Sequence, residues 1–317
     1  MATRRQILKK LLFGTAALSG GAVVSTQAVR AQETAKKVAL FQNADLRGSF
    51  SAVGGGLRPG AADDQSRKLQ ALLDEASLSN EPVFLPPGDY RVSNINLPEN
   101  TRLMGIPGAT RLIYTGGGHM LSCEGGTHIE LTGLVLDGEN LVLDAYAPGL
   151  LTASNTKHLV MENCVISGSS KIGIALERCG GRIENCHIHG AAGEAGLKSI
   201  EATRLEIKGN HVRDCSDGGI YIWRWAPGED GTLVSGNRVE RIGARSGGTG
   251  QFGNGINVFR AHNVAIDNNW IADCGFSAIR VNAGNNTRIT GNTCLRSGET
   301  AIYVEFGFQG AVVTSNM

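Results

Sequence analysis

The sequence predicts an all-β fold in which one short motif, repeated along the chain, coils into a parallel β-helix with three parallel sheets. Between residues 161 and 317, pairs of apolar residues recur every 22–32 residues, and the members of each pair lie five residues apart. The complete pairs are Met161/Ile166, Ile183/Ile188, Ile207/Val212, Val234/Val239, Ile266/Ile271 and Ile289/Cys294, and Val313 opens another. A third apolar residue follows each complete pair. Three anchors per repeat indicate three short strands per coil.

A bend separates the paired anchors of each repeat. Its first position holds Asn163, Asn185, Gly209, Gly236, Asn268, Gly291 and Ser315. Gly and Asn tolerate a left-handed backbone, so we expect the corner here. The next position holds Cys164, Cys186, Asn210, Asn237, Asn269, Asn292 and Asn316. Stacked coils lie about 4.8 Å apart, so inward Asn side chains are predicted to hydrogen-bond along the stack.

Residues 1–31 have the pattern of an export signal. Thr3-Arg4-Arg5-Gln6-Ile7-Leu8-Lys9 precedes an apolar run from Leu11 to Val24, and Val29-Arg30-Ala31 precedes Gln32. The run is short and rich in Gly and Ala, unlike a membrane span. The segment resembles a twin-arginine (Tat) signal, which implies use of the Tat export machinery and a periplasmic or secreted protein. An uncleaved amphipathic anchor is the alternative.

Charge and cysteine content exclude several classes of function. The first 31 residues carry five basic and no acidic residues, which leaves 25 basic and 29 acidic residues in the remainder. This balance offers no basic stripe for nucleic acid. The seven cysteines form no CxxC pair, which disfavours a zinc or redox site. Cys164 and Cys186 should stack inside the helix, where a disulfide or two thiols are both possible.

The segment before the repeats is predicted to cap the solenoid. Residues 32–60 are predicted to be a linker and irregular entry, and residues 61–110 a capping helix with the first coils. We expect the helix to start at Asp63-Asp64 and to bury Leu69, Leu72, Leu73 and Ala76. Residues 82–92 are expected to form strand, turn and strand. Residues 111–317 are expected to form the β-helix, which stops within a bend and is therefore predicted to be truncated or to need a partner.

The amino-terminal segment also carries a family resemblance. Ala62-Asp63-Asp64-Gln65, the Leu-Gln-Ala-Leu-Leu helix and Leu85-Pro86-Pro87-Gly88-Asp89-Tyr90 resemble the cap of pectate-lyase-like right-handed β-helix proteins. That superfamily contains polysaccharide lyases, glycoside hydrolases and phage tailspikes. With its Tat-like leader, the chain resembles exported bacterial repeat proteins of unassigned function. The outward residues of the first strand in the repeats do not form the Asp-Asp, Gly-His-Gly or Arg-Ile-Lys constellation of polygalacturonases, and the Asp-Pro-His-Glu run of alginate epimerases is missing, which disfavours those activities.

Strand alternation places a polar and aromatic face on the third strand of each coil. Long insertions at residues 137–149, 223–230 and 243–254 should border it, and loops beside a rigid face form clefts. The candidate substrate-binding residues are Trp223, Arg224, Trp225, Asn257, Phe259, Asn282, Tyr303 and Glu305. Aromatic rings beside polar groups suit stacking against sugars. The alternative is that the rings only pack the loops onto the sheet.

Five residues on or before this strand are catalytic candidates. Glu194 and Asp217 occupy equivalent turn positions, and a separation of about 5 Å would suit a retaining glycosidase. The same oxygens could instead hold Ca²⁺ or simply be solvated. Lys198, Arg280 or Tyr221 could act as the base of a lyase, or neutralise a uronate.

A second cluster lies on the strand after the bend. His187, His189 and His211 are predicted to point outward from neighbouring coils. Three imidazoles could bind a transition metal, although solvated surface histidines are the alternative. No other cofactor is indicated.

Two functions are consistent with the sequence. The first is an exported carbohydrate-active enzyme, a polysaccharide lyase or glycoside hydrolase acting on an acidic or envelope glycan. The second is a non-catalytic periplasmic or envelope repeat protein that binds a glycan or a partner.

Overall fold

The computed structural model describes residues 50–247 and 250–317 and contains one helix and 29 strands within them. Every strand pairs in parallel with its equivalents in adjacent coils. The predicted signal segment and residues 32–49 of the predicted linker lie outside the described residues.

The strands form three sheets, named here in the order in which a coil visits them. Sheet 1 contains β1 (Phe50–Ser51), β2 (Val83–Phe84), β5 (Arg102–Met104), β8 (Ile129–Thr132), β11 (Leu159–Glu162), β14 (Gly181–Glu184), β17 (Glu206–Lys208), β20 (Leu233–Ser235), β23 (Ala265–Asp267), β26 (Thr287–Thr290) and β29 (Ala311–Thr314). Sheet 2 contains β3 (Gly88–Val92), β6 (Thr110–Tyr114), β9 (Leu134–Asp137), β12 (Val165–Ser167), β15 (His187–His189), β18 (His211–Cys215), β21 (Arg238–Ile242), β24 (Trp270–Cys274) and β27 (Thr293–Leu295). Sheet 3 contains β4 (Ile95–Asn96), β7 (Leu121–Glu124), β10 (Gly149–Ser154), β13 (Ile172–Glu177), β16 (Leu197–Ile200), β19 (Gly218–Glu229), β22 (Asn254–His262), β25 (Ile279–Asn282) and β28 (Ile302–Glu305).

The bend between sheets 1 and 2 has the predicted left-handed corner. Asn163 and Asn185 have φ of 54° and 53°, and Gly209 has φ of 62°. One position later, the Oδ1 atom of Asn237 accepts the Asn210 backbone N–H at 2.9 Å. The same arrangement repeats from Asn237 to Asn269. The predicted asparagine ladder is therefore confirmed, and it satisfies buried amides along one edge of the core.

The single helix of the described residues begins later than predicted. It spans Ser66–Ser79, with Gln65 at the N-cap and no side-chain cap hydrogen bond. The Gln65 side chain is instead buried and exchanges hydrogen bonds with the Arg58 backbone. Asp64 accepts the Ser66 N–H, so it ends the preceding turn. The predicted apolar face, Leu69, Leu72, Leu73 and Ala76, is buried in the core.

All seven cysteines are free thiols, and all except Cys294 are buried. Cys164 and Cys186 occupy the asparagine column, and the Cys186 N–H donates to Asn210 Oδ1 at 2.9 Å. These two positions therefore continue the stack as small buried side chains rather than as a disulfide. No helix among the described residues is long and apolar enough to span a membrane.

Two of the three predicted insertions connect strands of different sheets, and the third is part of a strand. Residues 138–148 connect sheet 2 to sheet 3, as expected, and so does the segment between β21 and β22, of which residues 243–247 and 250–253 are described. Residues 223–230 were predicted to be a loop, and this was wrong. Residues 223–229 are part of β19, whose pairing with β22 shifts register after Trp223 and resumes at Gly228 and Ala261. A bulge, rather than a free loop, presents Trp225.

Candidate functional site

The outward side of sheet 3 carries two columns of side chains in the predicted register. Lys198, Tyr221, Asn257, Arg280 and Tyr303 are paired across consecutive strands in the first column. The second column contains Ile200, Trp223, Phe259, Asn282 and Glu305. We call this face, with the loop and bulge that border it, the sheet-3 groove.

The loop of residues 243–253 is tied to this face by residues that were predicted to be catalytic. Both carboxylate oxygens of Asp217 accept hydrogen bonds from Ser246, one from its N–H and one from its hydroxyl, each at 2.7 Å. The Tyr221 hydroxyl donates to the carbonyls of Asp217 and Gln251. Asp217 and Tyr221 are buried, and burial raises the pKa of the Tyr221 phenol. Their geometry is that of loop anchors, which differs from the predicted roles of Asp217 as one carboxylate of a catalytic pair and of Tyr221 as a base.

Lys198 and Glu194 form an ion pair at the groove, in which Glu194 is partly exposed and Lys198 is buried. The Lys198 Nζ atom lies 2.7 Å from Glu194 Oε2. Both residues line a pocket of about 290 Å³, called the amino-side pocket, which Trp225 also borders. The bulge and the turn before β16 thus bring together three of the predicted residues.

Trp223 contributes to the wall of the groove more than to its open surface. Its ring is stacked with Tyr221 at 5.2 Å, and the Lys198 Nζ atom lies 4.0 Å from its centroid. Phe259 contacts it edge to face at 5.7 Å. Trp223 thus packs against these neighbours, and its partly buried side chain also lines a pocket with Asn257 and Arg280.

Trp225 is the most exposed aromatic residue of the groove, with 59% of its surface accessible. Its backbone is held from both sides, because its N–H donates to Glu201 at 2.8 Å and its carbonyl accepts from Arg260 at 2.7 Å. Arg224 is ion-paired with the same Glu201. Arg224 therefore anchors the bulge instead of facing a ligand.

A second pocket, of about 160 Å³, lies on the other side of Trp223 and is called the carboxyl-side pocket. Its lining includes Asn257, Phe259, Arg280 and Asn282. Glu305 accepts hydrogen bonds from Arg280 Nε at 2.6 Å and from Asn282 at 3.1 Å. Tyr303, 38% exposed, lies beside Arg280 near this end.

Three of the four cations at the groove are neutralised by carboxylates, whereas Arg260 donates to the Trp225 carbonyl and lies over the Phe259 ring. Lys198 pairs with Glu194, Arg224 with Glu201 and Arg280 with Glu305. A paired guanidinium or ammonium attracts a polyanion weakly, because the partner carboxylate repels it. The groove thus offers oriented hydrogen-bonding groups but no strip of net positive charge.

Several groove residues were missed by sequence reasoning. Ile172, Ala175 and Ile200 line the amino-side pocket, while Glu201 and Arg260 clamp the bulge. The outward alternation of β13 and β16 could have identified Ala175 and Ile200. Nothing in the sequence marks Glu201 or Arg260, because their partner is the backbone of a bulge whose register shift is not encoded in an apolar pattern.

The three histidines of sheet 2 do not form the weakly predicted metal site. The rings of His187 and His211 meet edge to face at 5.7 Å, and His211 Nε2 lies 2.8 Å from Glu240. Desolvation lowers the pKa values of His187 and His189. In the described part of the chain no group of three or more His, Cys, Asp or Glu residues is arranged to hold a metal ion. The partner of His211 is a carboxylate that also pairs with Arg238 and Arg241.

A buried carboxyl lies just beyond the bulge. Asp230 is 3% exposed, and burial raises the pKa of its carboxyl to about 6. Oδ1 accepts the Thr232 N–H at 3.2 Å, whereas Oδ2 has no hydrogen-bonding partner among the described residues. The ionised form is therefore incompletely compensated in the folded state.

Asp230 should make the free energy of unfolding depend on pH between about 6 and 4. The folded pKa is about 6 and the ordinary value is 3.8, so ionisation disfavours the folded state by about 3 kcal/mol above pH 6. We expect this destabilisation to disappear as the pH falls through that window. Urea unfolding at pH 7.5 and 4.5 tests it, with Asp230→Asn as the variant in which this component of the pH dependence should be absent. An unchanged pH profile in the variant would contradict the assignment.

Comparisons with known proteins agree with the fold. The chain is similar in structure to the pre-mature bacteriophage phi29 gene product 12. The superposition covers 86% of this chain and 44% of the phage protein, with 16% identity and a TM-score of 0.59. It covers 98% of the Azotobacter vinelandii mannuronan C-5 epimerase AlgE6 A-module, matching over 84% of its own length at 16% identity and a TM-score of 0.55. For tailspike protein 2 from Escherichia coli O157:H7 bacteriophage CAB120, the shares are 82% of this chain and 38% of that one, at 14% identity and a TM-score of 0.57.

These similarities at low identity concern the fold alone. No curated protein matches the sequence significantly. The family model described as "Right handed beta helix region" matches residues 149–317, more than half of the chain. These residues include the asparagine ladder and most of the sheet-3 groove. The chain therefore belongs to the right-handed β-helix family.

Proposed function

We propose that the protein binds a glycan along the sheet-3 groove. The observation that carries the proposal is the amino-side pocket, where the exposed indole of Trp225 stands beside the Lys198–Glu194 pair. An aromatic face next to hydrogen-bonding groups is complementary to a sugar, which has an apolar face and polar edges. The rigid sheet beneath fixes these groups in register.

The length of the groove supports an extended polymer rather than a small molecule. Its two pockets are lined by strands from β10 to β25, and neighbouring strands in a sheet lie about 4.8 Å apart. A chain of several sugars laid across the strands would contact both pockets. The similarity of fold to an epimerase and a tailspike is consistent with this use of a β-helix.

A catalytic role, as a polysaccharide lyase or glycoside hydrolase, is the second candidate. It is favoured by the Lys198–Glu194 contact of 2.7 Å in an accessible pocket. Lys198 would be the base or Glu194 the acid, because both Asp217 oxygens are occupied by Ser246. The paired charges of the groove favour a neutral envelope glycan over a strongly acidic one. No step in this proposal requires Ca²⁺.

The leader motif at Arg4-Arg5 extends the proposal to location. We propose export through the Tat machinery to the periplasm or beyond, where envelope polysaccharide is accessible. A fusion of residues 1–31 to a reporter tests this, with Arg4→Lys and Arg5→Lys together as the variant that should remain in the cytoplasm.

Binding and turnover are separated by one panel experiment. Protein starting at Gln32 is incubated with neutral and uronate-containing polysaccharides, and retention, unsaturated products and new reducing ends are measured. Retention on a glycan supports the proposal, and absence of retention and of product on every polymer would contradict it. Product formation would establish the catalytic alternative.

If product forms, Glu194 and Asp217 should respond differently to substitution. Glu194→Gln is expected to lower turnover by about 100-fold or more, because it removes a proton-transfer group. Asp217→Asn should mainly loosen the loop of residues 243–253, with a modest decrease in turnover and a lower melting temperature. Equal losses in both variants, at unchanged stability, would restore the acidic-pair mechanism predicted from the sequence.

A further inference from the structure

The amino-side pocket is lined partly by polar residues such as Thr152, Ser154 and Glu177, and it also has an apolar part that the hydroxyl groups of a plain sugar would not satisfy. Ala175 and Ile172 are buried residues on its lining, and Ile200 and Trp225 also border it. Apolar surface gains free energy only when apolar atoms cover it. A hydroxyl placed against these side chains would lose hydration without a partner.

A cationic donor stands at the edge of this apolar surface. Lys198 lies next to Ala175 in the strand register, and its Nζ atom contacts Glu194 and the Trp223 ring. An ammonium carries three donors, so one remains for an acceptor in the pocket. A carbonyl oxygen beside a methyl group matches this combination of donor and apolar surface.

The small side chain of Ala175 provides the space. Its neighbours in the same outward column are Thr152 on one side and Lys198 on the other, both longer side chains. The column is thus indented at one position, between a hydroxyl and an ammonium. The pocket at this indentation has a volume of about 290 Å³.

We propose that the amino-side pocket receives the acetyl group of an acetylated sugar, so that the ligand is an acetylated neutral polysaccharide. The methyl group lies against Ala175 and Ile200 beneath Trp225, and the acyl carbonyl accepts a hydrogen bond from Lys198. This inference rests on the proposed function, since it names the ligand class of the same groove.

The test compares each polysaccharide with its own deacetylated form. O-acetylated mannan, xylan and a bacterial envelope polysaccharide are each measured before and after mild alkaline de-O-acetylation, by equilibrium binding to protein starting at Gln32. Burial of one methyl group with one hydrogen bond predicts about tenfold tighter binding of the acetylated member of the pair that binds. Equal affinity for the two forms would overturn the inference and leave the proposed function intact. Absence of binding to every polymer in both forms would overturn both.

A matched pair of variants locates the effect. Ala175→Leu fills the indentation and should abolish the preference for the acetylated form while retaining weaker binding to the deacetylated one. Ala265→Leu makes the same change at a partly exposed position of sheet 1 and should keep the full preference. Circular dichroism and melting temperature confirm folding of both. A preference that survives in Ala175→Leu would contradict the assignment of the pocket.

Discussion

Replacing Asn237 by alanine should destabilise the protein by about 4 kcal/mol, the largest stability effect expected of a single polar substitution here. Asn237 Oδ1 accepts from the Asn210 backbone N–H and from its side-chain amide, at 2.9 and 3.0 Å. Its Nδ2 atom donates to the Ile207 carbonyl at 2.8 Å and to Asn269 at 2.9 Å. Alanine would leave several buried polar groups without partners. Urea unfolding monitored by circular dichroism measures the change.

Another asparagine of the same ladder offers the control. Asn316 accepts the N–H of Asn292 at 2.9 Å, but it is only partly buried in this structure. Water can replace some of its contacts, so Asn316→Ala should cost less than half as much. Equal destabilisation by the two variants would mean that the ladder does not act through burial.

The second large effect is expected at Trp225. Trp225→Ala should weaken glycan binding about 30-fold, because it removes the exposed ring that borders the amino-side pocket. Its backbone contacts with Glu201 and Arg260 do not involve the indole, so the bulge should keep its shape. The melting temperature should therefore change little.

A tryptophan on another sheet controls for general effects of removing an indole. Trp270 projects from sheet 2, where the guanidinium carbon of Arg238 lies 3.8 Å from the centroid of its ring. Trp270→Ala should leave glycan affinity unchanged. Equal loss of affinity in both variants would show that the sheet-3 groove is not the binding face.

The architecture was predictable because the repeat encodes it directly. The members of each anchor pair, such as Ile207 and Val212, lie five residues apart, and these two are fully buried in the predicted column. The corner at Gly209 and the stack at Asn210 follow from backbone and hydrogen-bonding preferences that belong to the residue itself. The alternation of side chains along a strand likewise predicted the outward columns of sheet 3 correctly.

The candidate site was only partly predictable, because its details depend on tertiary contacts. The sequence identified Glu194, Lys198 and Trp225, which the structure brings to one pocket. It did not show that Asp217 would be captured by Ser246, 29 residues later. It also did not show that the segment after Trp223 would continue as a bulged strand instead of a loop. Both outcomes depend on long-range partners that no local pattern specifies.

The central claim is that a glycan lies in the sheet-3 groove. Oxidative footprinting of Trp225 and Trp270 tests it most directly. The oxidation rates of Trp225 and Trp270 are measured by mass spectrometry, with and without a saturating oligosaccharide from the polymer that the panel identifies. We expect strong protection of Trp225 and no change at Trp270. Protection of Trp270 alone, or an unchanged rate at Trp225 in the saturated complex, would contradict it.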